Sequence, residues 1–278
     1  MTRSPNACRP LLMLGMLVLV GSALGCDLAL HQASETESDL FKTGANPKII
    51  VETFNGSIDI SNGHEDEVAV EVTKHASGFD QQAAELNLER VEVQMTAEND
   101  EVHVRVKRIG SSFGNCGASV VIAAPPNATV ELKSSNGYIV SEGMKASLEA
   151  KTSNAKIDVV EASGKINVRS SNGPILIEAD NAHVDAGTSN AGVRFRGTLS
   201  DGDHELSTSN GPISVKLPAD SEFKFKAETS NGGIDCDFDY EDDGSSKRRR
   251  KSGTVGDDPK FFLELSTSNS SIDIDKTK

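Results

Sequence analysis

The sequence predicts an all-β chain: a single-chain β-solenoid, β-helix-like, of 18–21-residue coils with an N-terminal β-rich cap section. Three observations point there. A Ser-Asn motif recurs at Asn136, Asn154, Asn172, Asn190, Asn210, Asn231 and Asn269, at intervals of 18, 18, 18, 20, 21 and 38 residues, with an early outlier at Asn55. Around all eight, the third residue onward is Ile or Val and the second residue back is Thr or Ser; such a fixed period puts the same residue types on the same faces of successive short strands. Aromatic residues are only 4% of the chain and Trp is absent. A core made of Ile, Val, Leu and Ala suits thin, strand-built layers.

The chain opens with a targeting pattern. Arg3 and Arg9 form a positive region, Leu11 to Val20 (LLMLGMLVLV) a short apolar one, and small residues close it. A span needs roughly 20 apolar residues, so this stretch is too short to cross a bilayer. Ala23-Leu24-Gly25-Cys26 resembles the bacterial lipobox, whose cysteine is diacylated and becomes the first mature residue; the order departs from the commonest form. An ordinary signal peptide with a chance cysteine is the alternative. On the lipobox reading, residues 1–25 are a lipoprotein signal peptide and Cys26 is the lipidation site. The chain is then extracytoplasmic and held to a membrane, inner or outer, by acyl chains that anchor better together than singly. Residues 26–47 are polar without a sustained period and read as a tether.

Residues 48–125 form the N-terminal β-rich section. Ile49, Val51, Ile58 and Ile60 alternate with polar residues, and 68–73, 91–95, 102–106 and 119–124 read as further strands. Phe79 to Arg90 has the composition of a short helix. Pro125-Pro126 ends the section.

Residues 126–276 carry the repeats. Each unit reads as strand, turn at Ser-Asn, strand, and a second turn near Gly143, Gly164, Asn181 or Gly202. A hairpin of type I′ needs positive φ at both loop positions, yet Ala155, Ala191 and Ser270 follow their Asn. An arc between stacked coils can turn with a single left-handed residue, a role Asn tolerates. Stacking also explains the fidelity of the motif. Each Asn amide could bond to the Asn of the next coil, making a turn or stacking column, as in cross-β ladders.

The repeated TSNG-x-I motif, following VETFNGSIDI and a lipobox, resembles the bacterial "putative adhesin" domain family, a domain-of-unknown-function family that is β-helical and often found on lipoproteins. The resemblance covers about Ile49 to Ile274. It implies a non-catalytic cell-envelope lipoprotein that acts as an adhesin or binding scaffold; some members work in envelope-stress pathways, so an envelope-stress sensor or regulatory lipoprotein is the alternative. The family has no agreed catalytic residues, and none is carried over.

Charge and chemistry narrow the rest. Removing residues 1–25 leaves 26 basic and 42 acidic residues, a net charge of −16, which repels nucleic acid; no nucleic-acid partner is expected. The expected partners are a membrane through the lipid anchor and an envelope protein or polymer. Outward residues such as Lys156, Asp158, Arg194, Arg196 and Lys216 could contact it. Cys116 and Cys236 are candidates for a disulfide, or two small buried thiols. A charged loop insertion at 235–260 sets Asp235, Asp237 and Asp239 before Lys247, Arg248, Arg249, Arg250 and Lys251. It reads as a solvated loop whose opposite charges attract, or as a partner contact through the basic run. The six histidines show no metal or triad grouping, and His183 and His204 read as surface imidazoles. No metal site, cofactor or catalytic residue is expected. Polysaccharide-active β-helix enzymes, with longer coils, are the least favoured alternative.

Overall fold

The computed structural model describes residues 31–110 and 115–277. The signal peptide at 1–25 and the lipidation site Cys26 lie outside the described residues. Along the chain run β1 (His31–Lys42), β2 (Lys48–Thr53), β3 (Ile58–Asn62), β4 (Glu67–Gly78), α1 (Gln81–Leu88), β5 (Val91–Glu98), β6 (Glu101–Arg108) and β7 (Cys116–Ala124). Then come β8 (Thr129–Ser134), β9 (Ile139–Glu142), β10 (Leu148–Thr152), β11 (Ile157–Ser170), β12 (Ile175–Thr188), β13 (Val193–Leu199), β14 (Gly202–Thr208) and β15 (Ile213–Pro218). The last six are β16 (Phe223–Thr229), β17 (Ile234–Cys236), β18 (Glu241–Asp242), β19 (Arg250–Val255), β20 (Phe261–Thr267) and β21 (Ile272–Thr277). The fold is all-β, one open mixed sheet of 21 strands. The one helix among the described residues falls where composition placed it, with Asp80 capping the Ala83 amide at 2.7 Å.

Strands on either side of a Ser-Asn turn do not pair with each other. β10 pairs in parallel with β8 and with the trailing half of β11, while the leading half of β11 pairs with β9 and β12. Each turn therefore carries the chain from one wall to another, and two walls result. One runs β4, β7, β3, β9, β11, β12, β13, β15, β21, β17. The other runs β5, β6, β2, β8, β10, β11, β12, β14, β20, β16. A strand from each wall and the turn between them make one rung.

Register keeps like residues in columns. Ile139, Ile157, Ile175, Val193, Ile213, Ile272 and Ile234 oppose one another in sequence down the first wall, all within the core. A one-residue slip would turn every one of them to solvent, so burial fixes the pairing. Burying a Val, Leu or Ile side chain contributes about 1.5–3 kcal/mol. Two polar residues break the columns. Ser141 lies between Ile60 and Val159, fully buried, with no hydrogen-bond partner for its hydroxyl. His204 takes the place held elsewhere by Ile166, Val184 and Leu263 and is 2% exposed.

Spatial order departs from chain order at both ends. The β2/β3 rung sits between β6/β7 and β8/β9. The C-terminal β20/β21 rung sits between β14/β15 and β16/β17. The final segment is thus the penultimate layer and not the end of the stack. Antiparallel strands cover the outer rungs: β4, β1 and β5 at one end, β19 and β18 at the other. Covered edges have fewer free backbone groups to recruit another chain.

Three further expectations are corrected. Within the supposed tether, His31–Lys42 form β1, aligned with β4. Polar cross-strand pairs hold it: Lys74 bridges Glu35 and Glu37 at 2.7 and 2.8 Å, and the Thr36 and Thr73 hydroxyls are 3.0 Å apart. Hydrophobic periodicity cannot reveal such a strand. The 235–260 insertion is likewise not a plain loop, because β18 and β19 lie within it. Lastly, the motif asparagines are not left-handed. Among described non-glycine residues only Asn99, Asp100, Glu161 and Asn181 have positive φ. Left-handed backbone belongs to the second turn, at Gly143, Gly164, Asn181 and Gly202.

Candidate functional site: a polar ridge between two basic clefts

The motif asparagines meet along one corner. Asn154 donates its side-chain amide to Asn136 at 2.7 Å, Asn172 to Asn154 at 2.7 Å, Asn190 to Asn172 at 2.7 Å and Asn210 to Asn190 at 2.9 Å. The row continues out of chain order, Asn269 to Asn210 and Asn231 to Asn269, both at 2.7 Å. Beyond Asn136 the row is interrupted, for that amide reaches the Phe54 carbonyl at 3.4 Å. A separate pair follows, Asn55 to Asn115 at 2.7 Å. Asn115 was not among the residues picked from the sequence, because its own register is offset: Val120, five residues on, opposes Ile58.

Beneath the amides runs a row of buried hydroxyls. Thr152 donates to the Gly137 carbonyl, Ser170 to Ala155, Thr188 to Gly173, Thr208 to Ala191, Thr267 to Gly211 and Thr229 to Ser270, at 2.8–3.3 Å. Each Thr or Ser satisfies a turn carbonyl of the adjoining rung, which would otherwise be an unpaired buried group. That is why the motif demands a hydroxyl two residues before its Asn.

The residue after the Asn alternates in space: Gly137, Ala155, Gly173, Ala191, Gly211, Ser270, Gly232. At Gly173 an added Cβ would meet the Ala155 carbonyl oxygen at 1.6 Å, and at Gly211 the Ala191 oxygen at 1.9 Å. Every second turn is thus pressed against its neighbour too closely for a side chain. In chain order Gly211, Gly232 and Ser270 break the alternation; in spatial order it is unbroken from Gly137 to Gly232, and the rung beyond Gly137, where Gly56 follows Asn55, departs from it.

Two clefts border this ridge. One, of about 420 Å³, is lined by Ser230, Ser268, Glu228, Lys247, Arg249 and Arg250 among others. It gathers part of the basic run, but Arg250 is engaged with Glu228 at 2.6 Å and not with the acidic half of its own insertion. Lys251 opposes Ala227 in β16, and Arg248 does not line the cleft. The other, of about 510 Å³, lies further along the same wall beside Phe54, Arg105, Lys107, Lys133 and Lys151. Sequence reading missed it, since its cations come from β6, β8 and β10.

The outward residues proposed from sequence lie on the other wall. Lys156 pairs with Asp158 at 2.5 Å, which raises the lysine pKa, and Lys216 with Asp275 at 3.7 Å. Arg194 and Arg196 are exposed on β13. His183 and His204 rings are 5.2 Å apart, but His204 is buried: its Nδ1 accepts from the Val184 amide at 3.1 Å, and Nε2 faces the Ser200 carbonyl at 2.8 Å. Burial lowers its pKa. It is a core residue and not a surface imidazole.

Cys116 and Cys236 cannot form the disulfide considered from the sequence. β7 and β17 sit at opposite ends of one wall, eight strand steps apart, on the order of 38 Å at the usual interstrand spacing. A disulfide needs Cα atoms within about 7 Å. Burial pushes the Cys236 thiol pKa up. Among the described residues no helix is long and apolar enough to cross a membrane, and no group of three His, Cys, Asp or Glu side chains could hold a metal ion.

No protein-family model matches the chain, and no curated protein does. Solved structures do resemble it. A "putative adhesin" from Parabacteroides merdae is 10% identical at a TM-score of 0.45, covering 87% of this chain and 96% of that one. Another, from Bacteroides fragilis, is 12% identical at 0.44, over 87% and 97%. A "putative cell adhesion protein" from Clostridium sporogenes is 13% identical at 0.37, over 87% and 100%.

Proposed function

We propose that this chain is a non-catalytic, adhesin-like lipoprotein of the cell envelope, a β-solenoid held to a membrane through lipid at Cys26. Its Ser-Asn ridge is the surface offered to an extracytoplasmic polymer or protein. One observation carries the reading: six consecutive Asn-to-Asn bonds, at 2.7–2.9 Å, hold one exposed polar corner in strict register. Ordering exposed side chains costs entropy. A surface ordered in advance binds an extended partner with less of that cost left to meet.

The test compares cells making the natural chain with cells making Cys26→Ala. The natural chain is expected to partition with membranes and to raise adhesion to surfaces coated with extracellular polymer, and Cys26→Ala to abolish both. Release of sugar products from a polysaccharide panel by the purified chain would contradict the non-catalytic reading.

A further inference from the structure

The repeat is kept so faithfully that its departures stand out, and repeats depart from their rule chiefly where function demands it. The residue before the motif Asn is Ser in seven rungs and Phe54 in the eighth. Phe54 lines the 510 Å³ cleft. In the same cleft Lys133 of β8 directly opposes Lys151 of β10, one strand spacing or about 4.8 Å away. Like charges placed opposite each other are unfavourable. Neither lysine makes an ion pair with a carboxylate among the described residues, although the chain carries 42 acids.

Two neighbouring charges are already matched. Glu52, which opposes Lys133, is held by Arg105 at 2.9 Å. Arg169, which opposes Lys151, is held by Asp185 at 2.6 Å. Arg108 lies over the Phe54 ring, 5.7 Å from its centre, and Lys107 lines the same wall. Phe54 therefore does two things: it gives the cleft an apolar body and holds the Arg108 guanidinium over its ring. The two stacked lysines are left as unmatched positive charge in a strongly negative protein.

We propose that this cleft binds the carboxylates of an acidic polysaccharide, with Lys133 and Lys151 taking successive anionic groups. The assignment rests on the binding-scaffold reading and names its ligand class. A polysaccharide fits because Ser135 and Ser153 line the same cleft, one rung apart, and the row of Ser and Asn side chains continues from them along the ridge. A chain that repeats hydroxyl and carboxylate groups at a short interval can follow that row, each rung supplying a donor. Ammonium groups act as point charges on such ligands, so affinity should be salt-sensitive.

The test is calorimetric titration of the full chain in detergent with oligogalacturonate. Its methyl-esterified form, which has the same rings without charge, and sodium sulfate serve as comparison arms. Binding is expected to the acidic oligomer only, at least tenfold weaker at high salt and at least tenfold weaker in Lys133→Gln/Lys151→Gln. Phe54→Ser, which restores the repeat's own residue, is expected to weaken it as well. Lys247→Gln/Arg249→Gln, in the second cleft, is expected to leave it unchanged. Thermal melts of each variant confirm that the fold persists. Equal binding of the esterified oligomer, equal competition by sulfate, or loss of binding only in the second-cleft variant would overturn the assignment while leaving the scaffold reading in place. Absence of binding together with absence of cell adhesion would remove both.

Discussion

Asn269 gives its side-chain amide to Asn210 at 2.7 Å across 59 residues of chain, while Asn231, far nearer in sequence to Asn210, is the next step beyond Asn269. The column is therefore assembled by position in the stack and not by order of synthesis. Along the column each interior Asn donates once to a neighbouring Asn and accepts once from the other. Asn172→Ala removes both bonds, and with net hydrogen-bond contributions near 1 kcal/mol a loss of about 1–2 kcal/mol is expected in urea unfolding. Asn172→Asp should cost more, since a carboxylate has no N–H to give and would face the Asn154 oxygen.

The alternating turns make an asymmetric pair of substitutions. Gly173→Ala places a methyl 1.6 Å from the Ala155 carbonyl oxygen and is expected to cost about 3 kcal/mol or more. Ala155→Gly creates no collision and should cost only about 0.5–1 kcal/mol through backbone entropy. Paired melting curves check the contrast. Equal effects would mean that the close approach does not hold.

Ser141 is an internal fault in an aliphatic column. Its hydroxyl is buried and has no partner, so Ser141→Ala removes an unsatisfied polar group without adding volume. Stability is expected to rise by about 1 kcal/mol, read as a higher denaturant midpoint at unchanged slope.

His204 makes the fold sensitive to mild acid. Burial lowers its pKa below the ordinary 6.5; the hydrogen bond to the Ser200 carbonyl opposes this, His183 adds to it and Asp203 opposes it weakly. Below pH 6.5 the unfolded chain therefore binds a proton that the folded chain refuses. Stability is full above that pH and falls as pH drops toward the depressed folded value. His75, whose pKa burial also lowers, adds to the same window. In His204→Asn the loss of stability as pH falls below about 6.5 should be shallower than in the natural chain; an identical slope would place the titration elsewhere.

Much of this was legible in the residues. The Thr or Ser two before each Asn, the Ile or Val three after, and the Ala at 155 and 191 together exclude a string of hairpins, and the pairings agree. The strands of the N-terminal section and the helix near Gln81 also fall where alternation and composition put them. What stayed hidden had physical causes. β1 is held by Lys74 and threonine pairs and so lacks an apolar period. The buried place of His204 depends on a column visible only once rungs are stacked. The cleft beside Phe54 draws cations from strands far apart in sequence. The Gly and Ala alternation held the clue to the inverted last rung, but only for a reader who already knew the spatial order.

That order is the point most directly open to measurement. Ser209, Ser268 and Ser230 are exposed and occupy the same place in three rungs, and both Ser268 and Asn269 donate their backbone amides to the Ser209 carbonyl. Cysteine pairs at 209 and 268 or at 209 and 230, in a Cys236→Ser background, can be oxidised and located by peptide mapping. The stack described above requires rapid cross-linking of Ser209→Cys with Ser268→Cys, about 4.8 Å apart, and little with Ser230→Cys at roughly twice that spacing. Preferential cross-linking of 209 to 230 would show that the rungs follow chain order, and would contradict the account.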